Sequence, residues 1–149
     1  MDLGQRISVG PRTSIEVLAP PRGPLGPSAS ENDRSVVLMV RLGERRVLLP
    51  ADIEAEGERW LLESGQPLVA DALVVPHHGS RTSSTPAFIE AVSPSFAVVS
   101  AGANNQFGHP HPEVVRRYED AGIHLVTTAE RGTVTLRLEQ SDLRVRTAR

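Results

Sequence analysis

Residues 71–80, Asp-Ala-Leu-Val-Val-Pro-His-His-Gly-Ser, combine a short apolar run with two adjacent imidazoles, a glycine and a hydroxyl. Neutral imidazole is the commonest protein metal ligand and a proton carrier near neutral pH, so His77 and His78 are candidates for either role. Two further groups extend this chemistry. Asp52 follows another apolar segment, Arg46-Val47-Leu48-Leu49-Pro50-Ala51, and Gly108-His109-Pro110-His111 follows the run Phe96-Ala97-Val98-Val99-Ser100 and a polar loop. A carboxylate and several histidines delivered by loops at strand ends suggest a metal-dependent hydrolytic site. Taken alone, a His-His pair is as readily a polar strand end in solvent; the combination gives the functional reading its weight.

The elements that must hold these groups follow from periodicity and punctuation. Leu73 to Val75 read as a buried strand, Ala72–Val75 in full, whose ladder ends at Pro76 and whose exit turn uses Gly79. Strands are expected over Gln5–Val9, Ser14–Leu18, Phe96–Ser100, Ile123–Thr127, Thr133–Leu138 and Leu143–Arg146. Arg34–Leu42 and Arg45–Leu49 form a hairpin around Gly43-Glu44. Helices are expected from Asp52 to Glu63, ending near Gly65, from Thr85-Pro86 with Thr85 as N-cap, and from Pro112 to Ala121. Strands and helices in alternation give an α/β sheet with helices packed on it, where ligands bind in loops at the carboxyl ends of strands. The segment about 19–31, rich in Pro, Gly and Ser, is expected to be a mobile loop within a single domain or part of one.

Several residues have structural readings. His124 lies in a strand without polar neighbours in sequence, and Trp60 belongs to a helical apolar stripe and is expected in the core. Asn32 and Asp33 occupy a turn whose side chains bond local backbone, with a lesser expectation that Asn32 lines the cleft. Thr127 and Thr128 are strand-end residues. His111-Pro112-Glu113 reads equally as a helix start, with Pro at the first position and an acid in the first turn.

Leu48-Leu49-Pro50-Ala51-Asp52, Val75-Pro76-His77-His78-Gly79-Ser80 and Asn105-Gln106-Phe107-Gly108-His109-Pro110-His111-Pro112, preceded by Asn32-Asp33-Arg34-Ser35-Val36-Val37-Leu38, resemble in order and spacing the C-terminal half of the metallo-β-lactamase-like domain of the ComEC competence DNA-internalisation family. The resemblance implies a mixed-sheet αββα fold of which this chain is one half, and a site for two divalent ions, zinc or manganese. It implies that Asp52 is the bridging ligand, that His77 or His78 is a histidine ligand with His77 slightly preferred, and that His109 and Ser80 serve as proton donor or phosphate contact. Arg81, Asn105 and His111 are then expected along the substrate. The implied reaction is phosphodiester hydrolysis of DNA, with metal-activated water attacking the phosphate and His109 near the leaving oxygen. The parent would be a bacterial membrane protein carrying this domain outside the cytoplasm, with the membrane channel and the first half of the domain upstream of Met1.

Two departures bear on that expectation. The superfamily takes most metal ligands from an upstream His-x-His-x-Asp-His or His-x-Asp-x-Asp-His motif, and the five histidines here lie at 77, 78, 109, 111 and 124, in no such motif. Asp52 with one histidine gives two ligands where a catalytic zinc needs at least three, so the isolated chain is expected to be metal-poor and inactive. Ala51 also stands where the family usually has glycine, a replacement expected only where the backbone does not need positive φ. The alternatives are a catalytically silent truncated module, and a hydrolase of the same fold acting on another phosphoester or a lactone.

Composition bounds these readings. The 149 residues and 39% hydrophobic content suffice for one core. The absence of cysteine excludes disulfides and thiolate metal sites. No apolar run approaches the roughly 20 residues of a membrane-spanning helix, and no signal-peptide pattern opens the chain; the polypeptide is expected to be soluble. Net charge is −2 and all sixteen basic residues are arginine, a pattern of codon usage more than of phosphate contacts. Aromatics at 3% argue against an extended base-stacking platform. A sheet cut in mid-fold is expected to seek a partner, through self-association or the missing half.

Overall fold

The computed structural model describes residues 3–148. The described residues form nine strands and four α-helices in the order β1 (Arg6–Gly10), β2 (Thr13–Ala19), β3 (Val37–Leu42), β4 (Arg45–Leu49), α1 (Ala55–Glu63), β5 (Ala72–Val74), α2 (Pro86–Val92), β6 (Phe96–Val99), α3 (Pro112–Asp120), β7 (His124–Thr127), α4 (Thr128–Arg131), β8 (Thr133–Leu138) and β9 (Leu143–Ala148). β1 to β7 form one sheet in sequence order, and β8 pairs with β9 in a separate two-stranded sheet. The first four strands are an antiparallel meander. From β4 onward neighbours are parallel, with α1, α2 and α3 as the crossovers. The protein is therefore α/β with a mixed sheet and helices.

The parallel strands are short and almost wholly apolar because both of their faces are covered to some degree. On one face Met39, Leu48, Leu73 and Ala97 meet Leu61 of α1, Phe88, Ile89 and Val92 of α2, and Val114 and Tyr118 of α3 in the core. Trp60 is only partly buried against that core. On the other face the alternate residues Val47, Ala72, Val98 and Val126 are buried, while Leu38, Val40, Leu49 and Val74 are half-buried.

Two of the predicted starts shift, and one side chain explains both. The strand expected from Arg34 begins at Val37, because Asn32–Arg34 make a 3-10 turn. The helix expected from Asp52 begins at Ala55. Asp33, 2% exposed, lies under that helix start. Its Oδ1 accepts from Glu54 N and Gly57 N, both 2.8 Å, and its Oδ2 accepts from Ser30 N and Ser30 Oγ. A carboxylate from a distant loop thus caps α1, whose own N-cap residue Glu54 makes no side-chain cap. The expected bond to local backbone is present, from Ser30 N, and Asp33 additionally ties the β2–β3 connection to the helix after β4. A Cβ on Gly57 would stand 3.0 Å from Asp33 Oδ1, so glycine permits the approach.

Glu58, also in α1 and fully buried, ties the helix to the segment that enters α2. Its carboxylate accepts from Ser84 N and Thr85 N at the entry to α2. Burial pushes its pKa up to about 7, against the hydrogen bonds from Thr85 and Ser84 and the charge of Arg117. Arg117 of α3 donates to the carbonyls of Ser83 and Ser84, both 3.0 Å, and Tyr118 Oη lies 3.1 Å from Ser84 Oγ. Three helices are thereby pinned to the segment leaving His77 and His78. Thr85 caps α2 as expected, accepting from Phe88 N.

The 20–31 segment contains no helix or strand. Ser28 Oγ bonds the Glu56 carboxylate and Gly26 lies against Glu56 and Arg59, so the segment runs along α1. Among the described residues no helix is long and apolar enough to cross a membrane.

Candidate functional site

The carboxyl ends of β4, β5 and β6 lie side by side in the parallel part of the sheet, so the loops carrying Asp52, His77-His78 and His109 converge by topology. Backbone hydrogen bonds fasten them: His77 N donates to Ala51 O (2.9 Å), Ala55 N to Thr82 O (3.0 Å) and His111 N to Gly79 O (2.8 Å).

These loops adopt backbone that side chains ordinarily avoid. Ala51, His77 and His78 have φ of 52°, 49° and 55°, and Gly79 follows at 81°. The expectation that alanine replaces glycine only where positive φ is not needed fails here: the turn between β4 and Asp52 requires it, and alanine bears the strain. Gly79 is needed twice, since a Cβ there would also stand 2.7 Å from Pro110 Cβ. Strained residues held by surrounding hydrogen bonds cluster at functional sites. Ala51→Gly should stabilise the fold by about 0.5–1 kcal/mol, the left-handed penalty of alanine less the extra unfolded-state entropy of glycine. Urea unfolding followed by circular dichroism measures it, and an unchanged or lower midpoint contradicts the strain.

The two histidines have different partners. His78 Nδ1 is 2.6 Å from Ser100 O, an acceptor, so Nδ1 carries the proton and, in the neutral ring, Nε2 presents its lone pair. That Nε2 lies 3.6 Å from Asp52 Oδ1, with both side chains about half exposed. Two acceptors facing at this distance are satisfied by a proton or a cation between them. His77 turns the other way. Its Nδ1 is 3.3 Å from Glu54 Oε1, not aligned as a hydrogen bond, and Glu54 Oε1 also accepts from Asn32 Nδ2 at 2.9 Å. The geometry thus pairs Asp52 with His78, where sequence reasoning slightly preferred His77. Asn32 reaches the site through Glu54.

His109 packs beside His77, ring centroids 5.9 Å apart, and its buried Nδ1 has no hydrogen-bond partner. Burial, reinforced by the charges of His77, His78 and His111, lowers its pKa from the ordinary imidazole value. Asn105 builds its loop: Nδ2 donates to Gly102 O and His109 O, and Oδ1 accepts from His109 N at 2.9 Å. His111 caps α3, Nδ1 accepting from Glu113 N, which fits the helix-start reading. Ser80 is buried, its hydroxyl 3.0 Å from Thr82 Oγ1. Arg81 is exposed, and its charge acts on Glu113. His124 is exposed against Phe96, far along the sheet from these loops in strand direction, at the start of β7.

Sequence reasoning missed Glu54, which only a tertiary contact reveals, and the exposure of Phe107. Among the described residues no three or more His, Asp or Glu side chains converge as a metal-ligating group. The donors fit part of a metal centre, Asp52 with His78, and not a closed one.

No family model matches the chain. It is 37% identical over 109 residues, 73% of its length, to ComE operon protein 3 of Bacillus subtilis (strain 168). It is 36% identical over 120 residues, 80% of its length, to Competence protein ComA of Neisseria gonorrhoeae. The chain is a relative of these ComEC-related proteins. Recombination protein 2 of Haemophilus influenzae (strain ATCC 51907 / DSM 11121 / KW20 / Rd) is 32% identical over a further alignment of 120 residues. The matched stretches are only 14%, 17% and 15% of those three proteins, so the chain corresponds to a small part of each.

Proposed function

We propose that this chain forms the C-terminal half of a metallo-β-lactamase-like domain and contributes to a metal-dependent phosphodiesterase that acts on DNA during bacterial DNA uptake. The observation that carries the reading is the Asp52–His78 pair: a carboxylate facing an imidazole lone pair, on strand-end loops, with the imidazole oriented by a backbone carbonyl. The names of the competence relatives support the uptake role. Two divalent ions, zinc or manganese, would supply Lewis acidity and an acidified water. Asp52 and His78 would hold them together with ligands from the other half of the domain, carried upstream in a membrane-bound parent with the domain outside the cytoplasm. His109, beside His77, would serve as phosphate contact or as proton donor near the leaving oxygen, and Ser80, Arg81, Asn105 and His111 would line the approach of the substrate. The half-buried apolar residues on the second sheet face, Leu38, Val40, Leu49 and Val74, are where that other half, or a second copy of this chain, would pack.

A catalytically silent module is the second reading, favoured by the lack of a converged three-ligand group among the described residues. One experiment separates the two. Bound zinc and manganese per chain, and DNA hydrolysis, are measured for residues 1–149 alone and after addition of the preceding segment of the parent. The expected result is weak metal retention and no cutting alone, with both restored by the added segment. Stoichiometric metal and cutting by 1–149 alone would refute the half-site; a folded, combined protein without hydrolysis would favour the silent module.

A further inference from the structure

Among the described residues Phe107 is the large aromatic side chain left most open to solvent, at 72% exposure. A single exposed apolar residue needs no explanation by itself. Its position makes it different. The Phe107 ring stacks on His109, centroids 5.8 Å apart and planes within 19°. Both line a cavity of about 460 Å³ together with His78 and Thr128. The exposed aromatic face and the imidazole opposite Asp52 therefore share one open cavity, of a size that small-ligand sites have.

Resting on the phosphodiesterase reading, we infer that Phe107, backed by His109, is a stacking platform for the nucleobase next to the phosphate that faces Asp52 and His78. A flat ring laid on a flat, supported ring buries apolar surface on both, and any of the four bases offers such a face. The walls favour stacking over base reading. The Asn105 amide is engaged with Gly102 and His109, and Thr128 Oγ1 both donates to Ala101 O and accepts from Ala101 N, each 2.9 Å. Side chains whose polar groups are committed to their own loop are poor readers of base edges, so the platform accepts bases without sequence preference.

The test is a nuclear magnetic resonance titration of this chain with dAMP, dTMP and 2-deoxyribose 5-phosphate, repeated with Phe107→Ala and Phe107→Trp. The two nucleotides should bind within a few-fold of each other and about tenfold more tightly than the sugar phosphate. Phe107→Ala should bring both down to the sugar phosphate, and Phe107→Trp should keep the advantage; the exposed position leaves folding unaffected, which circular dichroism checks. Nucleotides binding no better than the sugar phosphate, or an advantage that survives Phe107→Ala, would overturn the platform. Failure of the phosphodiesterase reading looks different: base-dependent binding persists while the completed domain leaves DNA uncut. Equal hydrolysis of abasic and ordinary strands by the completed domain would sink the platform alone.

Discussion

Asp52→Ala, in a protein that includes the preceding half of the domain, should reduce DNA hydrolysis by orders of magnitude and lower bound metal per chain. The substitution removes the carboxylate that faces His78 Nε2, and with it the ligand proposed to be shared by two ions, so each would be left short and its water insufficiently acidified. His78→Ala should fall nearly as far, because the Ser100 carbonyl fixes that ring with Nε2 aimed at the same carboxylate. His77→Ala should cost less, roughly 10–100-fold, the range for residues that orient a metal site without binding it. His124→Ala, at the start of β7, should change neither rate nor metal content. Activity and metal content of the four variants, with folding checked by circular dichroism, decide the assignment. A folded, fully active Asp52→Ala protein would end it, and a larger loss from His77→Ala than from His78→Ala would reverse the two histidines.

The second large effect concerns stability. Asp33→Ala should destabilise the fold by about 3 kcal/mol, because it strips a charged acceptor from Glu54 N and Gly57 N at the buried start of α1 and from Ser30. Asp33→Asn should lie between, since its carbonyl oxygen can keep the two helix amides while its amino group faces the donors of Ser30. The effect depends on pH in a defined sense. Burial pushes the Asp33 pKa up, but the hydrogen bonds from Ser30, Gly57 and Glu54 together outweigh it and hold the value below 3.8. A carboxyl with a depressed folded pKa binds fewer protons folded than unfolded. Its contribution is therefore fully present above the unfolded value near 4 and is lost as pH falls through the folded one. Urea midpoints for the wild type and both variants between pH 3 and 7 should show the differences shrinking toward the acid end. A pH-independent gap would mean that the charge of Asp33 plays no part.

Much of the architecture was legible in the chain. The apolar runs at 47–49, 72–75 and 96–99 became adjacent parallel strands because wholly apolar segments of that length must be covered on both faces. Thr85-Pro86 and His111-Pro112 opened α2 and α3 because proline fits the first helical turn, where its missing amide costs nothing. The convergence of Asp52, the two histidines and His109 at one sheet end was likewise implied, since strand-end loops in a parallel sheet share an edge.

What the sequence could not decide were contacts between segments distant along the chain. Asp33 looked like a turn residue because its local pattern suits a turn; only the fold brings α1 onto it, and that displaces the helix start to Ala55. Periodicity cannot distinguish His77 from His78, which are neighbours in the chain. Their left-handed backbone swings one ring to Glu54 and the other to Asp52, a choice made by the Ser100 carbonyl and by Gly79 lying against Pro110. The positive φ of Ala51 was invisible for the same reason, because alanine does not announce a strained turn as glycine does. Local pattern determined which residues reach the site; side-chain partners and backbone strain, set by packing between loops, decided how they face one another.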